Sequence, residues 1–215
     1  MRLLHAVTIP NVATLLVAWL LSPCAFGSDV NADTTATASG ADYVGSTTCA
    51  SCHQEQTQLW QQSHHAHAMA PANPETVLGD FADREITVNG ITCRFSQRDN
   101  EFYVTTDGPD GKIEEFRISH TFGIDPLQQY LVPFPDGRLQ ALGLAWDTRP
   151  PEQGGQRWFH LYPDESIDYQ DELHWTGPQQ NWNYMCADCH STNLVKGYDA
   201  ENDEFNTTWS EISVG

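Results

Sequence analysis

The amino-acid sequence predicts an α+β fold in which an antiparallel β-meander separates two helical or loop modules. The same five-residue pattern, Cys-x-x-Cys-His, occurs once in each module, at residues 49–53 and 186–190. Between the two copies, short runs rich in β-branched and aromatic residues alternate with Gly, Pro, Asn and Asp, which is the pattern of strands joined by turns. The first copy lies in a stretch without Gly or Pro, which favours a helix.

Residues 1–27 are predicted to be a signal peptide. Arg2 precedes an apolar run from Val12 to Leu21, and small residues follow where a signal peptidase would cleave, after Gly27. The run has about ten residues, too few to cross a bilayer, so we expect no transmembrane span in the mature chain. Residues 28–42 lack large apolar side chains and are predicted to form a flexible linker.

Residues 43–82 form the first predicted module. Thr48 is a suitable N-cap, and the absence of Gly and Pro from there to Gln61 predicts one helix that carries the first motif. Pro71 and Pro74 end this module because proline cannot continue a helix.

Residues 83–162 form the predicted β insert. Asn89-Gly90 between two apolar runs is a strong signal for a two-residue hairpin turn. Further turns are predicted at residues 107–111 and 135–137, which are rich in Gly, Pro and Asp. The predicted strands are residues 86–88, 91–95, 101–105, 112–118, 129–132, 139–142 and 157–161.

Residues 163–198 form the second module, which contains Trp175, Trp182 and the second motif. Residues 199–215 are a polar and acidic tail for which the sequence predicts no regular structure. Cys93 is left outside both motifs, and its place in a strand predicts a small buried side chain rather than a reactive thiol.

Each Cys-x-x-Cys-His motif is the signature for covalent attachment of a c-type haem. Two thiols three positions apart can form thioethers to the two vinyl groups of one porphyrin, and the next residue presents an imidazole to the iron. The sequence therefore predicts two covalent haem c sites with His53 and His190 as proximal iron ligands. The predicted thioether cysteines are Cys49, Cys52, Cys186 and Cys189.

Two other chemistries use paired cysteines. A zinc site usually has only a short segment between its two pairs, whereas more than a hundred residues separate these pairs, and zinc gives no reason for a histidine after each one. A thioredoxin-like dithiol would occur once, beside a βαβ pattern that this sequence lacks.

The distal iron ligands are sought among the remaining histidines. His64, His65 and His67 crowd into one short stretch. If the helix ran unbroken from His53 to His65, the rise would be about 18 Å, whereas the two axial nitrogens of one iron lie only about 4 Å apart. Either the chain turns after Trp60, or this cluster binds the iron of a different haem.

His174 is the other leading distal candidate, because Gly177-Pro178 supplies a turn that would return the chain toward the second motif. His160 lies in an aromatic strand, where a buried structural histidine is at least as well supported as a ligand. His120 is predicted to be structural, and Met69 is a weaker, thioether alternative to the neighbouring imidazoles.

The formal net charge of −19 excludes nucleic acids and anionic membrane surfaces as partners. It predicts redox partner proteins with basic docking surfaces. Covalent haem attachment takes place outside the cytoplasm in bacteria, so together with the signal peptide the motifs predict a periplasmic or otherwise extracytoplasmic protein.

The pattern Trp60-x-x-Ser63-x-His65 after the first motif resembles the multihaem cytochromes c typified by the tetrahaem electron carrier of ammonia-oxidising bacteria. In that family the last histidine of the pattern is typically a distal ligand, which implies His65 rather than His64 or His67.

Three longer stretches, residues 74–81, 125–131 and 174–186, are similar to a subgroup of exported cytochromes that often carry C-terminal tetratricopeptide repeats. In that subgroup a further Cys-x-x-Cys-His closely follows a segment like residues 209–215, so the resemblance implies a truncated chain.

The leading expectation is an exported multihaem cytochrome c that carries electrons, with no catalytic residue assigned. One alternative is a multihaem oxidoreductase with an open iron site, although the sequence contains no Cys-x-x-Cys-Lys. Another is a haem-bearing interaction module of a longer repeat protein.

Overall fold

The computed structural model describes residues 43–215. The predicted signal peptide at residues 1–27 and the predicted linker at residues 28–42 lie outside the described residues. Between residues 43 and 215, no helix is long and apolar enough to span a membrane.

Two short helices carry the first motif where the sequence predicted one. Helix α1 is Ser46–Ala50 and helix α2 is Gln54–Gln61. The predicted helix is interrupted because His53 has φ −114° and ψ 50°, which lies outside the helical region. After α2 the chain turns over residues 62–68 and enters strand β1, Met69–Pro71.

The first half of the predicted β insert forms a four-stranded antiparallel meander. Its strands pair in chain order. Asn89 and Gly90 have φ values of 51° and 81°, the left-handed pair that a type I′ hairpin requires, so the predicted hairpin is confirmed. The strands are β2 Ala82–Val88, β3 Ile91–Arg98, β4 Glu101–Asp107 and β5 Ile113–Ile118.

The remaining strands of the insert form a second sheet together with β1. They are β6 His120–Phe122, β7 Leu127–Pro133, β8 Leu139–Ala141, β9 Leu144–Asp147 and β10 Arg157–His160. The order is β1-β6-β7-β9-β10, and β8 also pairs with β7.

The prediction of one meander is therefore wrong. The chain changes sheet at Ser119, where the backbone N–H donates to the Leu131 carbonyl at 2.9 Å and starts a new antiparallel pairing. The second sheet then recruits a strand from the first module.

The two sheets pack face to face over an aromatic core. Phe95 is fully buried, and its ring stacks on Trp158 with centroids 3.5 Å apart. The Phe81 ring meets both of them edge-on, at 5.5 and 5.3 Å. The other buried apolar residues of this core are Cys93, Phe102, Val104, Ile118, Tyr130, Val132, Leu142, Leu144, Trp146 and Trp175.

The opposite face of the second sheet, which we call the outer face, carries the second motif. Its side chains come from two cross-strand rows: Met69 with Phe122, and His120 with Leu131 and Ala141. Helices α3, Trp182–Met185, and α4, Ala187–His190, pack on this face through a second apolar core.

The tail forms structure that the sequence did not predict. Strands β11, Tyr198–Asp199, and β12, Glu204–Phe205, make a hairpin. Beyond it, Thr192 pairs with Glu211, and Trp209 and Ile212 pack against the apolar core of the outer face.

A buried hydrogen-bonded chain holds the segment before α3 against the first sheet. His174 is 5 % exposed, and its Nε2 lies 3.2 Å from an Asp107 carboxylate oxygen. Its Nδ1 lies 2.8 Å from the Thr176 hydroxyl. The next residue, Trp175, donates its indole N–H to the Asp107 carbonyl at 2.7 Å.

The aromatic core should dominate the free energy of unfolding. We expect Phe95→Ala to lower it by about 3–5 kcal/mol, because the substitution removes a fully buried ring and leaves a cavity against Trp158. Urea denaturation followed by tryptophan fluorescence measures the change. Ile113→Ala, at a side chain that is half exposed in the same sheet, is the control and should change stability much less; an equal loss in both variants would contradict this assignment.

The Asp107 contact should make stability depend on pH. Burial raises the pKa of Asp107, but the hydrogen bonds from His174 and Thr106 outweigh it and hold the pKa below its ordinary value. A carboxylate with a depressed folded-state pKa stabilises the protein above its unfolded pKa of about 3.9, and this contribution is lost as the pH falls further. Asp107→Asn should therefore cost about 1–3 kcal/mol at pH 7.

The difference in unfolding free energy between wild type and Asp107→Asn should shrink as the pH is lowered below about 4. Asp99→Asn, at an exposed turn of the same sheet, should leave stability nearly unchanged at all pH values. A difference for Asp107→Asn that is constant with pH would show that the carboxylate charge is not responsible.

Candidate functional site

The second motif is held on the outer face by its own helical turn. The His190 N–H donates to the Cys186 carbonyl at 3.2 Å, and the Cys189 N–H donates to the same oxygen at 3.0 Å. Ala187 is fully buried in the apolar core, whereas Cys189 is exposed and Cys186 is half buried. The turn thus anchors Ala187 in the core and exposes Cys189, while Cys186 packs partly against the same core.

The His190 ring is fixed by a backbone carbonyl from the first module. Its Nδ1 lies 3.3 Å from the Ala68 oxygen, which also accepts the Gly123 N–H at 2.9 Å. A carbonyl can only accept, so Nδ1 is the protonated nitrogen and Nε2 keeps its lone pair. The Phe122 ring meets the imidazole edge-on at 5.5 Å. His190 is therefore oriented with Nε2 free to bind iron, the arrangement typical of metal-bound histidines.

The first motif lines an apolar groove. Cys49 and His53 share it with Trp60 and Gly215, and its volume is about 260 Å³. Cys49, Cys52 and His53 are all exposed, and the groove brings the Cys49 thiol and the His53 imidazole to the same space.

The tail closes one side of this groove through three contacts. Ser46 donates its backbone N–H and its hydroxyl to the Glu211 carboxylate at 2.7 and 2.6 Å. Burial raises the pKa of Glu211, but these hydrogen bonds keep it below its ordinary value. Trp60 donates its indole N–H to the Val214 carbonyl at 2.7 Å, and the Val214 N–H donates to the His65 carbonyl at 3.2 Å.

The histidine cluster lies in the turn between the two motifs. His64, His65 and His67 are exposed, and His67 Nε2 lies 3.0 Å from the Gln61 carbonyl. The His65 carbonyl accepts the Val214 N–H, which holds the His65 backbone near the first motif. Three residues further along the chain, the Ala68 carbonyl contacts His190. The chain therefore turns after Trp60, which is the first of the two arrangements that the helix length allows.

The other candidate ligands lie elsewhere. Both ring nitrogens of His174 are hydrogen-bonded inside the protein, so this arrangement leaves neither for iron and gives that prediction no support. His160 is half buried, and its Nδ1 accepts the Tyr162 N–H at 3.1 Å. Met69 is 1 % exposed within the core of the outer face, which leaves its sulfur no access to a haem.

The residues around both motifs fit a covalently bound porphyrin. All four motif cysteines are free thiols. Seven of the large apolar side chains exposed in the described residues lie within about ten positions of a motif: Tyr43, Val44, Leu59, Tyr184, Met185, Val195 and Tyr198. In residues 43–215 no three His, Cys, Asp or Glu side chains converge.

Sequence reasoning missed the groups that position these ligands. The Ala68 carbonyl is a backbone atom, and any residue could supply it. Glu211 and Val214 lie more than a hundred and fifty positions from their partners Ser46 and Trp60. Neither carries a local pattern that would reveal its role.

Comparison with known proteins supports the haem interpretation. Residues 48–104 match the family model described as cytochrome c554 and c-prime, and this match includes the first motif. No curated protein and no solved structure matches the chain. The family match supports a c-type cytochrome that carries covalently bound haem c.

Proposed function

We propose that this protein is an exported electron carrier with two covalently bound haems, one at each Cys-x-x-Cys-His motif. The observation that carries the proposal is the convergence of both motifs on the turn at residues 62–68, where the chain that leaves the first motif supplies the Ala68 carbonyl to His190. Bound haem supplies a one-electron iron couple. The protein anchors, orients and partly buries it.

The cysteine and histidine side chains of each motif have distinct roles. The two thiols of each pair form the thioether links, and the histidine that follows binds iron through Nε2. At the second motif, the Ala68 carbonyl holds the proton on His190 Nδ1 and so keeps the metal-binding tautomer. The apolar groove beside His53 and Trp60 would exclude water from one porphyrin face.

His65 is the distal ligand proposed for the first haem. It lies four residues after the end of α2, and the turn after Gln61 removes the separation that one straight helix would impose between His53 and His65. The Val214 contact that fixes the His65 backbone belongs to the same tail segment as Gly215, which lines that groove.

The charge distribution supports a cationic redox partner that docks on the modules that carry the motifs. Residues 84–157 hold eight of the ten Lys and Arg residues, and the other two are Arg2 and Lys196. Residues 158–215 hold eleven acidic residues, as many as residues 84–157, but only one basic residue to offset them. The negative potential is therefore concentrated around the haem-binding segments, where it would steer a basic partner toward them.

The family is typically extracytoplasmic, in agreement with the predicted signal peptide. Thioether formation and export would then precede any electron transfer.

Haem stoichiometry tests the proposal directly. Protein matured in the periplasm should contain two haems per chain by pyridine haemochrome absorbance. Replacing both cysteines of one motif, Cys49→Ser with Cys52→Ser or Cys186→Ser with Cys189→Ser, should leave one. Cys93→Ser removes the buried cysteine outside the motifs and should keep two. Wild-type protein with no covalent haem, or two haems retained after loss of a motif, would contradict the proposal.

Docking on the acidic modules predicts a strong dependence on ionic strength. The bimolecular rate of electron transfer to a small cationic cytochrome should fall about tenfold or more between low and physiological salt. Glu55→Gln with Asp188→Asn, both exposed beside a motif, should lower the low-salt rate.

The matched control is Glu85→Gln with Asp99→Asn, which removes the same charge from exposed positions of the meander. An equal decrease in both variants would mean that net charge, and not a docking surface, sets the rate.

A further inference from the structure

A third histidine lies on the outer face, in the same strand as a residue that contacts His190. His120 belongs to the cross-strand row with Leu131 and Ala141, two residues whose side chains form the core of this face. Phe122, which meets the His190 ring at 5.5 Å, lies two positions along the strand, or about 7 Å away.

The Ser119 hydroxyl holds the His120 ring through Nδ1. It lies 3.2 Å from the Leu131 carbonyl, to which it can donate, and 2.9 Å from His120 Nδ1. When the hydroxyl gives its one proton to the carbonyl, it accepts from Nδ1–H. In that tautomer His120 Nε2 keeps a lone pair. His190 has the same arrangement, with Nδ1 donating to protein oxygen and Nε2 free.

The other two histidines that lie at least half buried outside the motifs have different tautomers or no free nitrogen. In His160 the Nδ1 lone pair accepts the Tyr162 N–H, which places the proton on Nε2. In His174 both nitrogens are engaged. Of these three histidines in the described part of the chain, only His120 can hold its proton on Nδ1 and leave Nε2 free.

The surroundings of His120 keep the ring ordered. The Trp209 ring meets the imidazole edge-on at 6.2 Å, and Trp209 in turn packs against Trp182 at 5.7 Å, next to the second motif.

We propose that His120 Nε2 is the distal iron ligand of the haem at the second motif, with His190 as the proximal one. The inference rests on the proposed function, because it requires haem at Cys186 and Cys189. His120 would take the distal position for which His174, with both ring nitrogens hydrogen-bonded, has no support. Ser119 is then the residue that positions the His120 imidazole.

Spin state tests this assignment independently of haem attachment. In the ferric wild-type protein, both haems should be low-spin by electron paramagnetic resonance and absorbance. His120→Gly should convert one haem of the two to a high-spin form that binds carbon monoxide rapidly when reduced, with two haems per chain retained. Added imidazole should restore the low-spin spectrum.

His160→Gln is the matched control and should leave both haems low-spin. If His120→Gly does not fold, Ser119→Ala provides a second test: loss of the acceptor for Nδ1–H weakens the ligand and should raise the reduction potential of one haem without a change of spin state.

Two low-spin haems in His120→Gly would overturn the assignment, as would a wild-type protein that already contains one high-spin haem. A wild-type protein without covalent haem would instead contradict the proposed function itself.

Discussion

The pairing of β1 with β6 is the contact on which both motifs depend. It is only three residue pairs long, yet it attaches the first module to the second sheet. At its start the Ala68 carbonyl accepts the Gly123 N–H of the sheet and contacts His190 of the second motif. One backbone oxygen thus joins the strand register to the orientation of a predicted iron ligand. A shift of β1 by one residue would place Met69 on the opposite face and separate that oxygen from His190.

The second sheet has two faces with different tasks. The inner face packs aromatic rings against the meander and supplies most of the buried apolar core. The outer face binds the helical turn of the second motif and the tail, and the exposed apolar side chains flank the motifs. Because the sheet is shared, the packing that stabilises the sandwich also fixes the scaffold on which the proposed haem sites lie.

What could be predicted from the sequence was local. The Asn89-Gly90 hairpin follows from two residues that tolerate positive φ, and the cofactor follows from the spacing within each motif. The split into two sheets, the tail contacts and the surroundings of His174 depend on partners far apart in the chain; Asp107, for example, lies 67 positions from His174. A histidine pattern cannot distinguish a ring that binds iron from one that a distant carboxylate has already engaged.

The central claim is that the two motifs hold their haems close together across the turn at residues 62–68. Electron paramagnetic resonance of the fully oxidised protein tests it most directly, by comparison with the summed spectra of the two variants that each lack one motif. The account predicts magnetic coupling, so that the wild-type spectrum is broader or relaxes faster than the sum. A wild-type spectrum equal to the sum, with two haems present, would show that the two irons are far apart and would contradict the account.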